Sequence, residues 1–269
     1  MSPTIPEPRL STTICVLAAD GNGARVLMVR RAAAMRFMPG AWVFPGGVID
    51  PADDGASARA AVVDAHPEHA AWAAAGVREV FEETGIWLAR PPVVIEAATR
   101  PTGPAVFDLV ARFGPVDGAG IHHLSTWVTP TMVPVRFHTR FSVVVADAMV
   151  AGEPDGTEVD DIAWVVPQDA IDRADAGDIA LPLPTRRTLA GFAALGTVDA
   201  VIDRVRTAGP APMIQPRLRI DGDIIVALLP GDEGYDTTPD LPPDPETLGR
   251  ALEVRAADGG PVPEMRPPR

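Results

Sequence analysis

The chain contains no lysine, one cysteine and one tyrosine, and aromatic residues make up only 5% of its 269 positions. All 23 basic side chains are therefore arginine, set against 36 Asp and Glu, for a net charge of −13 and a pI near 4.7. That balance argues against nucleic acid or an anionic membrane surface as the main partner. A small anionic substrate stays open if local arginines or a metal ion offset the charge. A lone cysteine excludes an internal disulfide, and the apolar surroundings of Cys15 read as a core strand. No apolar run has the length of a membrane-spanning helix, and the Pro-rich start lacks the pattern of a secretory leader. A soluble cytoplasmic protein is expected, with a homodimer left open. What is present is 46% apolar residues, enough for one sizeable core with appendages.

Taken in order, residues 1–10 read as a loose Pro-rich tail. Ser11–Ala19 and Ala24–Arg31 read as strands joined at Asp20-Gly21-Asn22-Gly23, a hairpin signal. Trp42 to Gly47 reads as a short strand ending in a tight Gly-Gly turn. Strands are expected at Leu124–Thr129, Pro134–Ala146 and Ile162–Val166. Helices are expected at Pro167–Asp175, Pro184–Ala194 and Val198–Thr207, and a second hairpin at Met213–Leu229. From about residue 235 apolar periodicity disappears, and 235–269 reads as mostly irregular. The compact domain is thus 11–234.

The chemistry concentrates at Val77 to Ile86. At about 100° per residue, Glu79, Glu82 and Glu83 share one arc at the end of a helix, with Val77 and Phe81 on the far side. Gly85 suits the helix stop. Three carboxylates at a helix C-terminus repel one another and oppose the helix dipole. A hard divalent cation seated among them would explain the arrangement; a merely solvated acidic face is the other reading. Arg78, one turn before Glu82, can brace it as an ion pair.

Together with Gly47, these residues resemble the Nudix box, the signature of the Nudix hydrolases. Gly47, Arg78, Glu79, Phe81 (shifted by one from the usual apolar place, which Val80 holds), Glu82, Glu83, Gly85 and Ile86 carry the resemblance. Two departures stand out. Asp53 lies six residues after Gly47, where the family usually has Glu, and Asp53 to Arg78 is too long by about 17 residues. The extra segment, 54–71, reads as an added helix followed by His66-Pro67, where Pro opens the next one. Further segments are Met35 to Gly40 leading to Gly47, Trp127 to Pro130 with Arg136 to Phe141, and Leu229 to Asp232. They are similar to the branch of peroxisomal coenzyme A diphosphatases and their bacterial relatives. His138 departs from that branch, where Asp is expected, and Pro267-Pro268-Arg269 is not a peroxisomal address.

The resemblance implies an α/β class protein with the Nudix fold: an α/β/α sandwich around a mixed sheet, with an added helix inside the box and extra C-terminal helices. It implies hydrolysis of a diphosphate linked to a nucleoside, with coenzyme A or acyl-coenzyme A as leading substrate and 3′,5′-ADP and (acyl-)phosphopantetheine as products. ADP-ribose or NADH is the alternative within catalysis, and a non-catalytic nucleotide-binding regulator the alternative outside it. The implied cofactor is Mg²⁺ or Mn²⁺, held by Glu82 and Glu83, with Glu79 as ligand or base and Gly47 through its carbonyl. Gly46 lets the backbone come close, and Arg78 orients a glutamate. Glu158, in the polar loop before a strand, is an additional ligand or base, ahead of Asp160 and Asp161. Arg36, with Arg30 and Arg31 near the Gly-Gly segment, and Arg136 and Arg140, on one strand face with His138, are the candidates to contact phosphate; solvent-facing charge for the first three, and pairing with acidic neighbours for the strand residues, are the other readings.

Overall fold

A computed structural model describes residues 5–21, 23–35, 38–244, 246 and 253–256. The strands are β1 (Arg9–Asp20), β2 (Gly23–Arg31), β3 (Trp42–Val43), β4 (Gly46–Val48), β5 (Val62–Val63), β6 (Ile86–Trp87), β7 (Val93–Val94), β8 (Val116–Asp117), β9 (His122–Val128), β10 (Phe137–Val145), β11 (Val159–Val165), β12 (Met213–Ile214), β13 (Arg217–Asp221), β14 (Ile224–Leu228) and β15 (Glu253–Ala256). The helices are α1 (Ala56–Ala61), α2 (Ala70–Thr84), α3 (Val110–Phe113), α4 (Pro167–Asp175), α5 (Leu183–Leu195) and α6 (Val198–Thr207).

The main sheet runs β11-β2-β1-β10-β9-β12, with β3 beside β2 and β4 beside β1. It is mixed: β1–β10 and β9–β12 are parallel, and the other pairs antiparallel. β1 shows why both faces are covered. It is rich in β-branched residues, and its side chains alternate. Ile14 and Val16 join α1 and α2 on one face. Cys15 and Leu17 join α4, α5 and α6 on the other. The result is the expected α/β/α sandwich with added helices.

α2 is built from an Ala-rich start and an apolar stripe, with Val77, Val80 and Phe81 wholly buried. It ends at Gly85, whose φ of 73° lies in the left-handed region and whose amide donates to the Phe81 carbonyl at 2.7 Å. The insertion forms a 3₁₀ turn at Pro51–Asp54, then α1 and β5, and returns through a 3₁₀ turn at Pro67–His69 into α2.

Four differences from the sequence reading are informative. β1 starts at Arg9, inside the stretch expected to be a tail. Gly46 and Gly47 do not make a tight turn: they lie in β4, paired with Thr13 and Thr12. Met213–Ile220 is not one strand, because Met213 and Ile214 pair with β9 while Arg217–Asp221 pairs with β14. Within 235–269, β15 lies parallel to β14, a pairing that no local periodicity announces.

Phe81 is 0% exposed and meets Trp87 edge-to-face at 6.3 Å between ring centroids. Replacing it with Ala is expected to cost about 3–5 kcal/mol of stability, read as a lower urea midpoint. A loss under about 1 kcal/mol would contradict this packing.

Candidate active site

The site is built around Arg78. Its side chain is 7% exposed, and its donors are all directed at oxygen. Nε and Nη2 reach the two oxygens of Asp53, each at 2.9 Å. Nη1 reaches Glu79 and Glu82, each at 2.8 Å, and Nη2 also reaches the Val48 carbonyl at 3.1 Å. Burial disfavours the guanidinium charge, but Asp53, Glu79 and Glu82 outweigh it and raise its pKa. Asp53 is itself positioned, taking the Asp50 amide at 2.8 Å in a reciprocal cap of the 3₁₀ turn. Asp53 therefore meets Arg78 in space despite the long excursion, and the insertion is a closed loop tied at its neck.

β4 brings the backbone against the acids. The Gly46 amide donates to Glu83 at 3.2 Å. A Cβ on Gly47 would overlap the Glu79 carboxylate, so close approach, not turn geometry, requires glycine there. Burial raises the Glu79 carboxyl to about 7 against the pull of Arg78, with Glu82 and Glu158 adding repulsion. Burial also holds Glu83 well above the carboxylate range, with Glu79 and Glu158 pushing the same way and Arg31 opposing. Glu158 thus acts on both acids from its loop. Glu82 is also held from outside the helix, by the Gly103 amide on its side chain and Arg100 on its carbonyl at 2.8 Å.

Carboxylates and main-chain oxygens are the donors preferred by hard cations such as Mg²⁺ and Mn²⁺. Glu79 and Glu83 are buried where their charges are poorly compensated, the condition a divalent cation relieves. The residues present therefore fit the implied metal. Among the described residues no group of three His, Cys, Asp or Glu side chains is already arranged as a ligand set. Glu79 and Glu82 both face Arg78, and a cation would have to share them.

A cavity of about 840 Å³ opens from this acidic end. Arg31, Arg78, Arg100, Gly46, Gly47 and Glu158 line it with the three glutamates. Its wall also carries apolar side chains, among them Phe44, Val128, Phe137, Phe141 and Leu183.

The strand-face expectation for β10 needs correction. Phe137, Thr139 and Phe141 face the cavity, and Arg136 and Arg140 are not in its wall. Arg136 is buried and donates to the carbonyls of Thr129 and Pro6. Arg140 stacks on Trp72 at 4.3 Å and donates to the Glu68 carbonyl. His138 lies by the same Trp72 ring. Asp160, another of the weaker acids, pairs with Arg30 at 2.6 Å. Arg36 falls outside the described residues. Arg100 was missed because its partners are distant carbonyls, which leave no trace in local sequence.

A model of the NUDIX domain matches residues 8–183. The chain belongs to the Nudix family. It is a Nudix hydrolase, an enzyme for nucleoside diphosphate derivatives. It is 28% identical over 250 residues to the putative nudix hydrolase 7 of Caenorhabditis elegans, covering 90% of this chain and 78% of that protein. It is 29% identical over 280 residues to human acyl-coenzyme A diphosphatase NUDT19, covering 80% and 73%. The crystal structure of a NUDIX hydrolase from Alicyclobacillus acidocaldarius superposes with a TM-score of 0.61 at 27% identity, covering 77% of this chain and all of that one. No helix among the described residues is long and apolar enough to cross a membrane.

The raised Glu79 carboxyl gives a pH test. Its folded-state pKa of about 7 lies above the ordinary value of 4.5, so the folded state favours the protonated form. That contribution is full below pH 4.5 and is lost as pH rises toward and through 7. Without divalent cations, wild type should therefore lose melting temperature relative to Glu79→Gln between pH 5 and pH 8. Parallel Tm curves for the two proteins would contradict it.

Proposed function

We propose that this Nudix hydrolase cleaves the diphosphate of coenzyme A or an acyl-coenzyme A, releasing 3′,5′-ADP and (acyl-)phosphopantetheine, with Mg²⁺ or Mn²⁺ as cofactor. The observation that carries this reading is the mixed lining of the cavity. Its glutamates suit a cation-borne diphosphate, and its apolar side chains, Phe44, Val128, Phe137 and Phe141 among them, suit a pantetheine arm and its acyl group. Similarity to a human acyl-coenzyme A diphosphatase supports the same choice.

Glu82 and Glu83 would hold the cation, with the Gly47 carbonyl as a further donor. Bound there, a divalent cation would neutralise diphosphate oxygens and lower the pKa of a water molecule. Glu79 or Glu158 would take the water proton. Arg78 keeps Glu79 and Glu82 in place while Asp53 holds Arg78. Arg31, also in the cavity wall, faces the substrate phosphates in this reading.

Turnover of coenzyme A, acyl-coenzyme A, ADP-ribose and NADH should be measured with Mg²⁺ and with Mn²⁺. Coenzyme A or its thioesters should be the preferred substrates by kcat/KM. Cleavage of ADP-ribose with coenzyme A untouched would overturn the proposal. Nucleotide binding without turnover of any of them would favour a regulator.

Glu82→Gln removes a ligand charge without changing side-chain shape. It should lower kcat by about 100-fold or more while the circular dichroism spectrum is unchanged. Near-wild-type turnover would remove Glu82 from the cation seat.

A further inference from the structure

The carboxylates that converge on the cavity come from two separate pieces of chain. Glu79, Glu82 and Glu83 lie on α2, whereas Glu158 and Asp155 lie in the loop before β11. Catalysis by such a set requires the two pieces to keep a fixed separation, because positioning errors near 1 Å cost rate.

The loop holds its own shape through Asp155. Oδ1 of Asp155 accepts the amides of Thr157 at 2.8 Å, Glu158 at 3.0 Å and Val159 at 2.9 Å. Oδ2 accepts the Thr157 hydroxyl at 3.1 Å. One carboxylate thus folds the backbone on both sides of Glu158.

The loop is then pinned to the helix end. The Glu153 amide donates to the Thr84 carbonyl at 2.8 Å, and the Glu153 carboxylate takes the Ala97 amide at 2.8 Å. Arg100 makes the bridge itself: Nη2 donates to the Glu153 carbonyl at 2.6 Å, and Nη1 to the Glu82 carbonyl at 2.8 Å. Arg100 forms no ion pair among the described residues, and its Nε is buried without a partner. Gly85 has no side chain to occupy the space that the guanidinium fills. The Glu82 carbonyl is one of those left without an intrahelical partner at the end of α2, so the tie caps the helix at the main chain of a candidate cation ligand.

We propose that Arg100 and Asp155 are positioning residues: Asp155 sets the loop's shape and Arg100 sets its distance from α2, so that Glu158 meets the helix carboxylates in register. The inference rests on the reading of Glu158 as a carboxylate of the reaction. A lysine at position 100 would keep the charge but lose the fork that spans two carbonyls.

The test is a pair of double-mutant cycles on coenzyme A hydrolysis with Mg²⁺, or on the fastest substrate of the panel above. Arg100→Met, Arg100→Lys and Asp155→Ala should each lower kcat on the order of tenfold or more with little change in KM. Asp155→Asn should recover most of the rate, because its amide oxygen still accepts the three amides. In a Glu158→Gln background, Arg100→Met and Asp155→Ala should have little further effect. Losses that multiply in both cycles would overturn the inference while leaving the role of Glu158 intact. A Glu158→Gln enzyme as fast as wild type would overturn both. If Arg100→Met does not fold by circular dichroism, the Asp155→Ala cycle decides alone.

Discussion

Arg78 sits inside the protein with five oxygens of three carboxylates and a carbonyl around it, and the acidic helix end depends on that one guanidinium. Buried charges of one sign are costly unless paired, and breaking such a pair from one side leaves the other charge stranded. Lysine would not serve in its place, because no single ammonium can present a planar fork to Asp53 and still reach Glu79 and Glu82. The same residue explains how a long insertion can interrupt the box without undoing it. Asp53 enters from one side of the excursion and Arg78 from the other, so their bidentate pair closes the neck. Lengthening a closed loop costs only logarithmically in entropy, and α1 offsets part of that cost by burying Ala58 and Ala61 against the core.

Much of this was legible in the residues, for identifiable reasons. α2 announced itself through period and stop: an apolar side at Val77 and Phe81, then Gly85. α4 and α6 were bounded by local signals as well, Pro167 opening one and Thr197 capping the other. What escaped was set by tertiary contact. Gly46-Gly47 looks like a turn because glycine usually punctuates turns, yet here it makes room for Thr12 and Glu79. The cationic face of β10 was visible as an alternation, but alternation does not say which face meets a cavity. Arg136 is occupied by backbone carbonyls, and Arg100 likewise, and neither kind of partner has a sequence pattern.

The layered fold puts each kind of residue where its physics works. One face of the main sheet carries α1 and α2 with the inserted segment, and the other carries α4, α5 and α6. The cavity takes its wall from β4, β9 and β10 of the sheet and from the start of α5. The carboxylates come from the end of a helix anchored by an apolar stripe, so their mutual repulsion is opposed by core packing as well as by Arg78. An acidic protein can handle an anionic substrate in this way, since the arginines in the wall act at short range while the overall charge is screened by salt.

The small C-terminal sheet has its own dependence. β14 is the middle strand of a small sheet, held by β13 on one side and by β15, more than 20 residues downstream, on the other. A truncation that removed β15 would leave a row of amide and carbonyl groups without partners along a strand whose Ile225, Val226 and Leu228 are apolar and buried. Such an edge is a template for another chain. A shortened version of this protein would therefore be prone to aggregate through that edge, irrespective of the chemistry of the carboxylates.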